Sequence, residues 1–305
     1  MESTPLVRLP PGPDEAEILD RFGIGPEALL GSGNEARTFA LPDGHTVLRI
    51  SPAQPEEPEA EPSGVERRLQ RLLAGFGAQQ LALPMIVGFG VTGRQRWRVD
   101  RRIPGVDLAS VLRRSPDTTH RRALLTSYLE VVLELHRLPS ALIEAAKPWG
   151  RPILGEAFAT LSDLMNHLLD SASAWSLLGD RVPDLGARVA DLRDRFAHRR
   201  VAPALVHADY CPGNVYTDGS RVIGVGDWSV HALHADPVLD VAGAVAFVEL
   251  EPYPEAVADA AWLAGLAAER LGADAEWIEA YRRYHGLYYS MDDEILPWCA
   301  AQLLR

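Results

Sequence analysis

The stretch LVHADYCPGNVYTDGSRVIGVGDWS, residues 205–229, sets four polar residues between short aliphatic runs. Residues 204–207 read as a short buried strand. The following ADYCPGN is a loop that turns at Pro212-Gly213, and VYT with RVIGVG is a hairpin closed by Asp218-Gly219. Pairing the two hairpin strands brings Asn214, entering the first, close to Asp227, leaving the second. Asp209 lies at the mouth of the same loop, and His207 precedes it by two residues. An Asp, an Asn and a second Asp gathered this way are oxygen ligands for a hard cation. Mg²⁺ takes a few protein oxygens and completes its shell with water and phosphate. Asp209 is then left to accept a proton from a hydroxyl nucleophile. The plain alternative is a loop with an Asx-turn and solvated carboxylates.

Helical texture surrounds this segment. Residues 108–115, 121–138, 156–170 and 185–199 carry helical spacing of apolar positions, and helices resume over 236–250, 254–271, 275–289 and 292–304. The first hundred residues read differently. ALLGSGNEARTFALPDGHTVLRI gives strand, Gly-rich turn, strand, turn at Pro42-Asp43-Gly44, strand; PMIVGFGV and RWRVDRRI add two more. Between them lie the acidic, Pro-rich SPAQPEEPEAEPSG, a loop by composition, and VERRLQRLLAGF, a helix with Val65, Leu69, Leu72 and Leu73 on one face. Pro104-Gly105 is the linker. The fold class is therefore α+β, with an antiparallel-sheet lobe over 1–103 and a mostly helical lobe over 104–305.

Composition narrows the function classes. A net charge of −12 argues against nucleic acid and anionic membrane as partners; it suits a cationic small molecule, or serves solubility alone. No apolar run reaches the length of a membrane span. The two cysteines, Cys211 and Cys299, form no disulfide framework, and no signal peptide opens the chain, so a cytoplasmic setting is expected.

His207-Ala-Asp209-x-x-x-x-Asn214, followed by Gly-x-Gly-Asp227-Trp, resembles the catalytic and metal-binding loops of the aminoglycoside phosphotransferase family. That family includes choline-kinase-like and homoserine-kinase-like enzymes and shares the protein-kinase-like fold. The resemblance spans about residues 25–250, with its strong motifs at 207–242. It implies that Asp209 is the catalytic base, that Asn214 and Asp227 bind Mg²⁺, and that His207 braces the loop. The later ADPVLDVA resembles the family's helix opening, with Asp236 as cap and Asp240 pairing with the catalytic-loop region.

The first lobe should then hold ATP or GTP. Gly31, Ser32 and Gly33 sit where a Gly-rich turn lets backbone N–H groups approach phosphate. The third strand of such folds carries a cation, normally lysine; here it is Arg49, and the only lysine in the chain is the distant Lys147. Arginine keeps the charge and a fork suited to phosphate. Glu66 is its expected helix partner, and the backbone of about Asp100 to Arg102 is the expected edge for the purine. His136 reads as core packing.

On the acceptor side the residues say less, and no acceptor-binding residue is assigned. The acids Glu249, Glu251, Glu255, Asp259, Asp292, Asp293 and Glu294 suit the amines of an aminoglycoside, or are a solvated face. Trp262, Trp277, Tyr281, Tyr284, Tyr288 and Tyr289 suit a cage for a cationic head group, or are core. The expected reaction is γ-phosphoryl transfer from ATP or GTP to a small-molecule hydroxyl, with an aminoglycoside-type antibiotic in first place. A metabolic kinase for choline, homoserine or a sugar is the alternative. A catalytically silent nucleotide-binding protein is the other, resting only on the missing lysine.

Overall fold

The computed structural model describes residues 12–32, 36–53, 81–138, 149–150, 157–228 and 232–305. Gly33, Glu66 with its expected helix, Lys147 and His231 lie outside these residues. The chain divides into two compact units, with the boundary between Ile103 and Pro104.

The first unit is a five-stranded antiparallel sheet. Its strands are β1 (Leu29–Ser32), β2 (Arg37–Ala40), β3 (Thr46–Pro52), β4 (Ile86–Thr92) and β5 (Gln95–Arg101), in the order β1-β2-β3-β5-β4. Period-two alternation sets its faces. Phe39, Leu48, Ile50, Trp97 and Val99 are buried together with Ile18 and Leu19. The β2–β3 turn has Gly44 at φ +69°, and the Asp43 carboxylate accepts from the N–H groups of His45 and Thr46 at 2.8 and 2.9 Å. One element was not anticipated: helix α1 (Pro13–Arg21), which starts on a proline and presents only Ile18 and Leu19 to the core. Asp14 at its start accepts from the Arg94 N–H in the β4–β5 turn at 2.7 Å.

The second unit is mostly helical. It contains α2 (Leu108–Arg114), α3 (Thr118–Leu135), α4 (Leu161–Ala174), α5 (Leu185–Ala197), α6 (Val238–Leu250), α7 (Ala256–Leu271), α8 (Ile278–Tyr288) and α9 (Leu296–Leu304). The helix expected over 156–170 begins later. Ala157–Phe158 is a strand, and Thr160 caps α4 by accepting from the Asp163 N–H at 3.1 Å. A threonine three residues ahead of an acid is a stronger start signal than the apolar spacing upstream of it.

Two small sheets interrupt the helices. One has β6 (Val106–Asp107), β10 (Val215–Thr217) and β11 (Val222–Val225) in the order β11-β10-β6. The other has β7 (Trp149–Gly150), β8 (Ala157–Phe158), β9 (Ala204–Val206) and β12 (Leu233–Ala235) in the order β8-β7-β12-β9. The linker glycine has a steric role. Gly105 sits at φ +91°, and a Cβ there would lie 2.4 Å from the Thr217 carbonyl oxygen. Helix α6 is buried on nearly every side, from Val238 through Ala246. Among the described residues, no helix is long and apolar enough to cross a membrane.

Candidate active site

The hairpin forms as its turn residues dictate. Val215 pairs with Val225 and Tyr216 with Gly224, and the Gly226 N–H donates to the Asn214 carbonyl at 2.7 Å. The residue before Asp227 is thereby tied to Asn214. From the other side, His207 Nε2 is 2.9 Å from the Gly226 carbonyl, and its Nδ1 accepts from the Asp209 N–H at 3.3 Å. The Nε2–H tautomer satisfies both contacts. His207 is buried, with the Trp228 ring 4.6 Å away. It therefore links the loop that carries Asp209 to the loop that carries Asp227.

Asp209 is held at both carboxylate oxygens. Asn214 Nδ2 donates to Oδ2 at 2.9 Å and also to the Asp209 backbone carbonyl at 2.9 Å. The Tyr289 hydroxyl donates to Oδ1 at 3.2 Å. Burial raises the Asp209 pKa above the ordinary carboxylate range; the charge of Asp227 pushes the same way, against hydrogen bonds from Asn214 and Tyr289. Two non-glycine residues at the site have left-handed backbone: Ala208 at φ +64° and Asp227 at φ +49°. Such strain persists only where the surroundings over-determine it.

Asp240, near the start of α6, supplies much of that determination. Its Oδ2 accepts from the His207 N–H at 2.7 Å and its Oδ1 from the Ala208 N–H at 2.8 Å. His136 Nε2 reaches Oδ2 at 3.2 Å, so His136 is part of this polar network rather than simple core packing. Asp236 accepts from the Val238 N–H at 3.0 Å at the opening of α6, and its Oδ2 also takes Arg199 Nε at 2.7 Å and the Tyr281 hydroxyl at 2.9 Å. Behind the loop, Tyr128 and Tyr210 exchange hydroxyl-to-carbonyl bonds. Neither tyrosine was singled out from the sequence. Tyr289 was, but only as a cage or core aromatic, because nothing in its spacing points to Asp209. Cys211, in the same loop, is no nucleophile: burial pushes its thiol up to about 12.

The oxygen set fits Mg²⁺ in a limited way. The Asn214 amide nitrogen is committed to Asp209, which leaves its Oδ1 as the group to face a cation beside the half-buried Asp227. Among the described residues, no group of three or more His, Cys, Asp and Glu could hold a metal ion. Two protein oxygens suit a cation whose remaining ligands are phosphate and water.

The expected nucleotide residues fall in the first unit. Gly31 pairs with Thr38 beside a bulge, and Ser32 with Arg37. Arg49 lies opposite Thr38 and Arg98, alternating with the buried Leu48 and Ile50. Asp100 is buried in β5, its side chain paired with Arg98 at 2.9 Å. The N–H groups of Arg101 and Arg102 donate to the Met85 and His45 carbonyls at 2.8 and 2.7 Å. Those two amides are thus used within the sheet and are not spare donors for a purine.

The expected acidic acceptor face is largely neutralised. Glu249 pairs with Arg282 and Arg305, Glu251 with Arg113, and the buried Asp259 with Arg121 at 2.6 Å. Glu255, Asp292, Asp293 and Glu294 remain exposed. The aromatic cage does not assemble as a unit either. Tyr281 and Tyr284 are buried, Trp277 lies against Phe196 with Arg199 over its ring, and Trp262 lies under Arg122.

The sequence profile of the phosphotransferase enzyme family matches residues 28–287. No curated protein matches the chain. Among solved structures, the chain is similar to a thermostable mutant of aminoglycoside phosphotransferase APH(4)-Ia in ternary complex with ADP and hygromycin B. The TM-score is 0.70 at 21% identity, over 95% of this chain and 96% of that one. It is also similar to the GDP complex of an aminoglycoside 2'-phosphotransferase-IIIa mutant, with TM-score 0.59 and 18% identity over 90% and 88% of the two chains. A third is APH(3'')-Id from Streptomyces rimosus with ADP and streptomycin, with TM-score 0.54 and 15% identity over 83% and 90%. At these identities the likeness speaks to the fold: an antiparallel-sheet N-terminal lobe and a helical C-terminal lobe of the kinase-like type.

Proposed function

The chain belongs to the phosphotransferase enzyme family, and on that premise we propose that it moves the γ-phosphoryl group of ATP or GTP to a hydroxyl of a small molecule, an aminoglycoside-type antibiotic first among the candidates. The observation that carries this reading is the Asp209 carboxylate, held on both oxygens beside Asn214 and the Asp227 loop. In phosphoryl transfer the transition state is loose, so the base chiefly orients the attacking hydroxyl and takes its proton late. The acceptor oxygen bonds to the γ-phosphorus, the bond to the β-phosphate oxygen breaks, and ADP or GDP leaves. Asn214 Oδ1 and Asp227 are the residues to hold Mg²⁺, which when bound neutralises charge on the phosphates. His207 and Asp240 fix the loop. Gly31, Ser32, Gly33 and Arg49, with Glu66, are assigned to the phosphates; the amides of Arg101 and Arg102 are committed within the sheet, so only carbonyls of the 100–102 segment are left to be assigned to the purine.

The antibiotic reading is supported by the printed ligands of similar structures, hygromycin B and streptomycin. The arginine pairing of Glu249, Glu251 and Asp259 favours the alternative, a metabolic alcohol such as choline, homoserine or a sugar, because it removes carboxylates that an oligoamine would need. ADP and GDP release with Mg²⁺ across aminoglycosides, choline, homoserine and sugars decides between them. A hit that vanishes in Asp209→Ala fixes the acceptor class and the base together. Nucleotide binding that is equally tight with and without Mg²⁺ contradicts the metal assignment.

A further inference from the structure

We propose that Tyr289 is a positioning residue for the Asp209 carboxylate, an inference that rests on the phosphotransferase reading. A carboxylate with one anchor swings about its Cβ–Cγ bond. With a donor on each oxygen its plane is fixed, and so are the lone pairs left to meet an acceptor hydroxyl. Asn214 Nδ2 is the anchor on Oδ2, and the Tyr289 hydroxyl is the anchor on Oδ1. Asn214 has a second duty toward the cation, whereas the Tyr289 hydroxyl, among the described residues, makes this one hydrogen bond.

The ring that carries this hydroxyl is itself immobilised. Phe247 meets it edge-on at 5.2 Å, Tyr288 edge-on at 4.9 Å, and His285 stacks at 6.0 Å. Its backbone N–H donates to the His285 carbonyl at 3.0 Å, at the end of α8. Phe247 belongs to α6, the helix whose Asp240 holds the His207 and Ala208 amides. One buried helix therefore supports both the backbone of the base and the ring that orients its side chain. A phenylalanine would fill the same space, so packing alone does not require the hydroxyl.

The test uses the full chain and Mg²⁺ with ATP or GTP, water taking the place of the acceptor, and reads release of the diphosphate. Tyr289→Phe should lower kcat by about tenfold while leaving the KM for nucleotide as in the parent. In an Asp209→Asn background the same change should cost nothing further, because the group it positions is gone. Parental kcat in Tyr289→Phe, with Asp209→Asn slowed but still measurable, overturns the inference and leaves the phosphotransferase reading standing. A loss that adds in full to that of Asp209→Asn, or one confined to KM or the thermal midpoint, also overturns it. Parental turnover in Asp209→Asn defeats the reading itself.

Discussion

Tyr128 and Tyr210 each donate a hydroxyl hydrogen bond to the other's backbone carbonyl, at 2.7 and 2.9 Å, with their rings stacked 4.6 Å apart. Both are fully buried, which raises both phenol pKa values well above normal. Tyr210 directly follows Asp209, so this reciprocal pair clips the Asp209 loop to α3. Tyr128→Phe leaves the Tyr210 carbonyl without its donor and should cost about 1–3 kcal/mol of stability. Adding Tyr210→Phe should cost less than the sum of the two single changes. Urea unfolding of the three variants measures both.

Asp240→Asn probes the loop from its other side. The carboxylate accepts on both oxygens, while an amide accepts on one and points N–H groups at a donor with the other. Turnover should fall by about 100-fold through misplacement of Asp209, with nucleotide affinity nearly unchanged. Steady-state kinetics beside a nucleotide titration separates the two effects.

The pH dependence of stability carries a sign. Burial raises the Asp209 pKa above its unfolded value, so the native state binds this proton more readily than the unfolded chain does. The ionised group then destabilises the fold at neutral pH, and the penalty fades as pH falls through the folded pKa toward the unfolded one. Asp209→Asn should therefore melt higher than the parent at pH 7, with the gap closing in acid. A lower melting temperature at pH 7 would show that the hydrogen bonds to the carboxylate outweigh its desolvation.

Arg199 joins three segments through Asp236 and Asp274, with Nε 2.7 Å and Nη1 2.5 Å from the two carboxylates. Asp236 is buried, and removing its partner leaves a charge facing the Tyr281 hydroxyl and the Val238 N–H. Arg199→Ala should cost about 3–5 kcal/mol. Arg199→Lys should recover only part, since one ammonium cannot reproduce the fork. Denaturant midpoints give the ranking.

What could be read from residues alone was local. Asp218-Gly219 closes the hairpin as its chemistry requires, and β2, β3 and β5 follow their alternation. Helix α1 escaped because a nine-residue element with two buried apolar side chains leaves almost no period to detect. Distance in sequence hid the rest. Arg121 meets Asp259 across 138 positions, which is why an acid-rich C-terminal region looked free to bind amines when much of it faces arginines. Tyr128 and Tyr210 are 82 positions apart. Tyr289 sits in a run of aromatics at helical spacing, where a residue that packs and a residue that donates to Asp209 have the same pattern.

Helix α6 has little contact with solvent, and Asp240 hangs the His207 and Ala208 amides directly from it. Those two protons should exchange with deuterium only when the whole second unit unfolds, at the slowest rate in the chain, unlike the amides of most ligand-handling loops. On the proposed reading, the Asp209 loop would then be a fixed datum, and fitting to acceptors of different shape would fall to other parts of the protein.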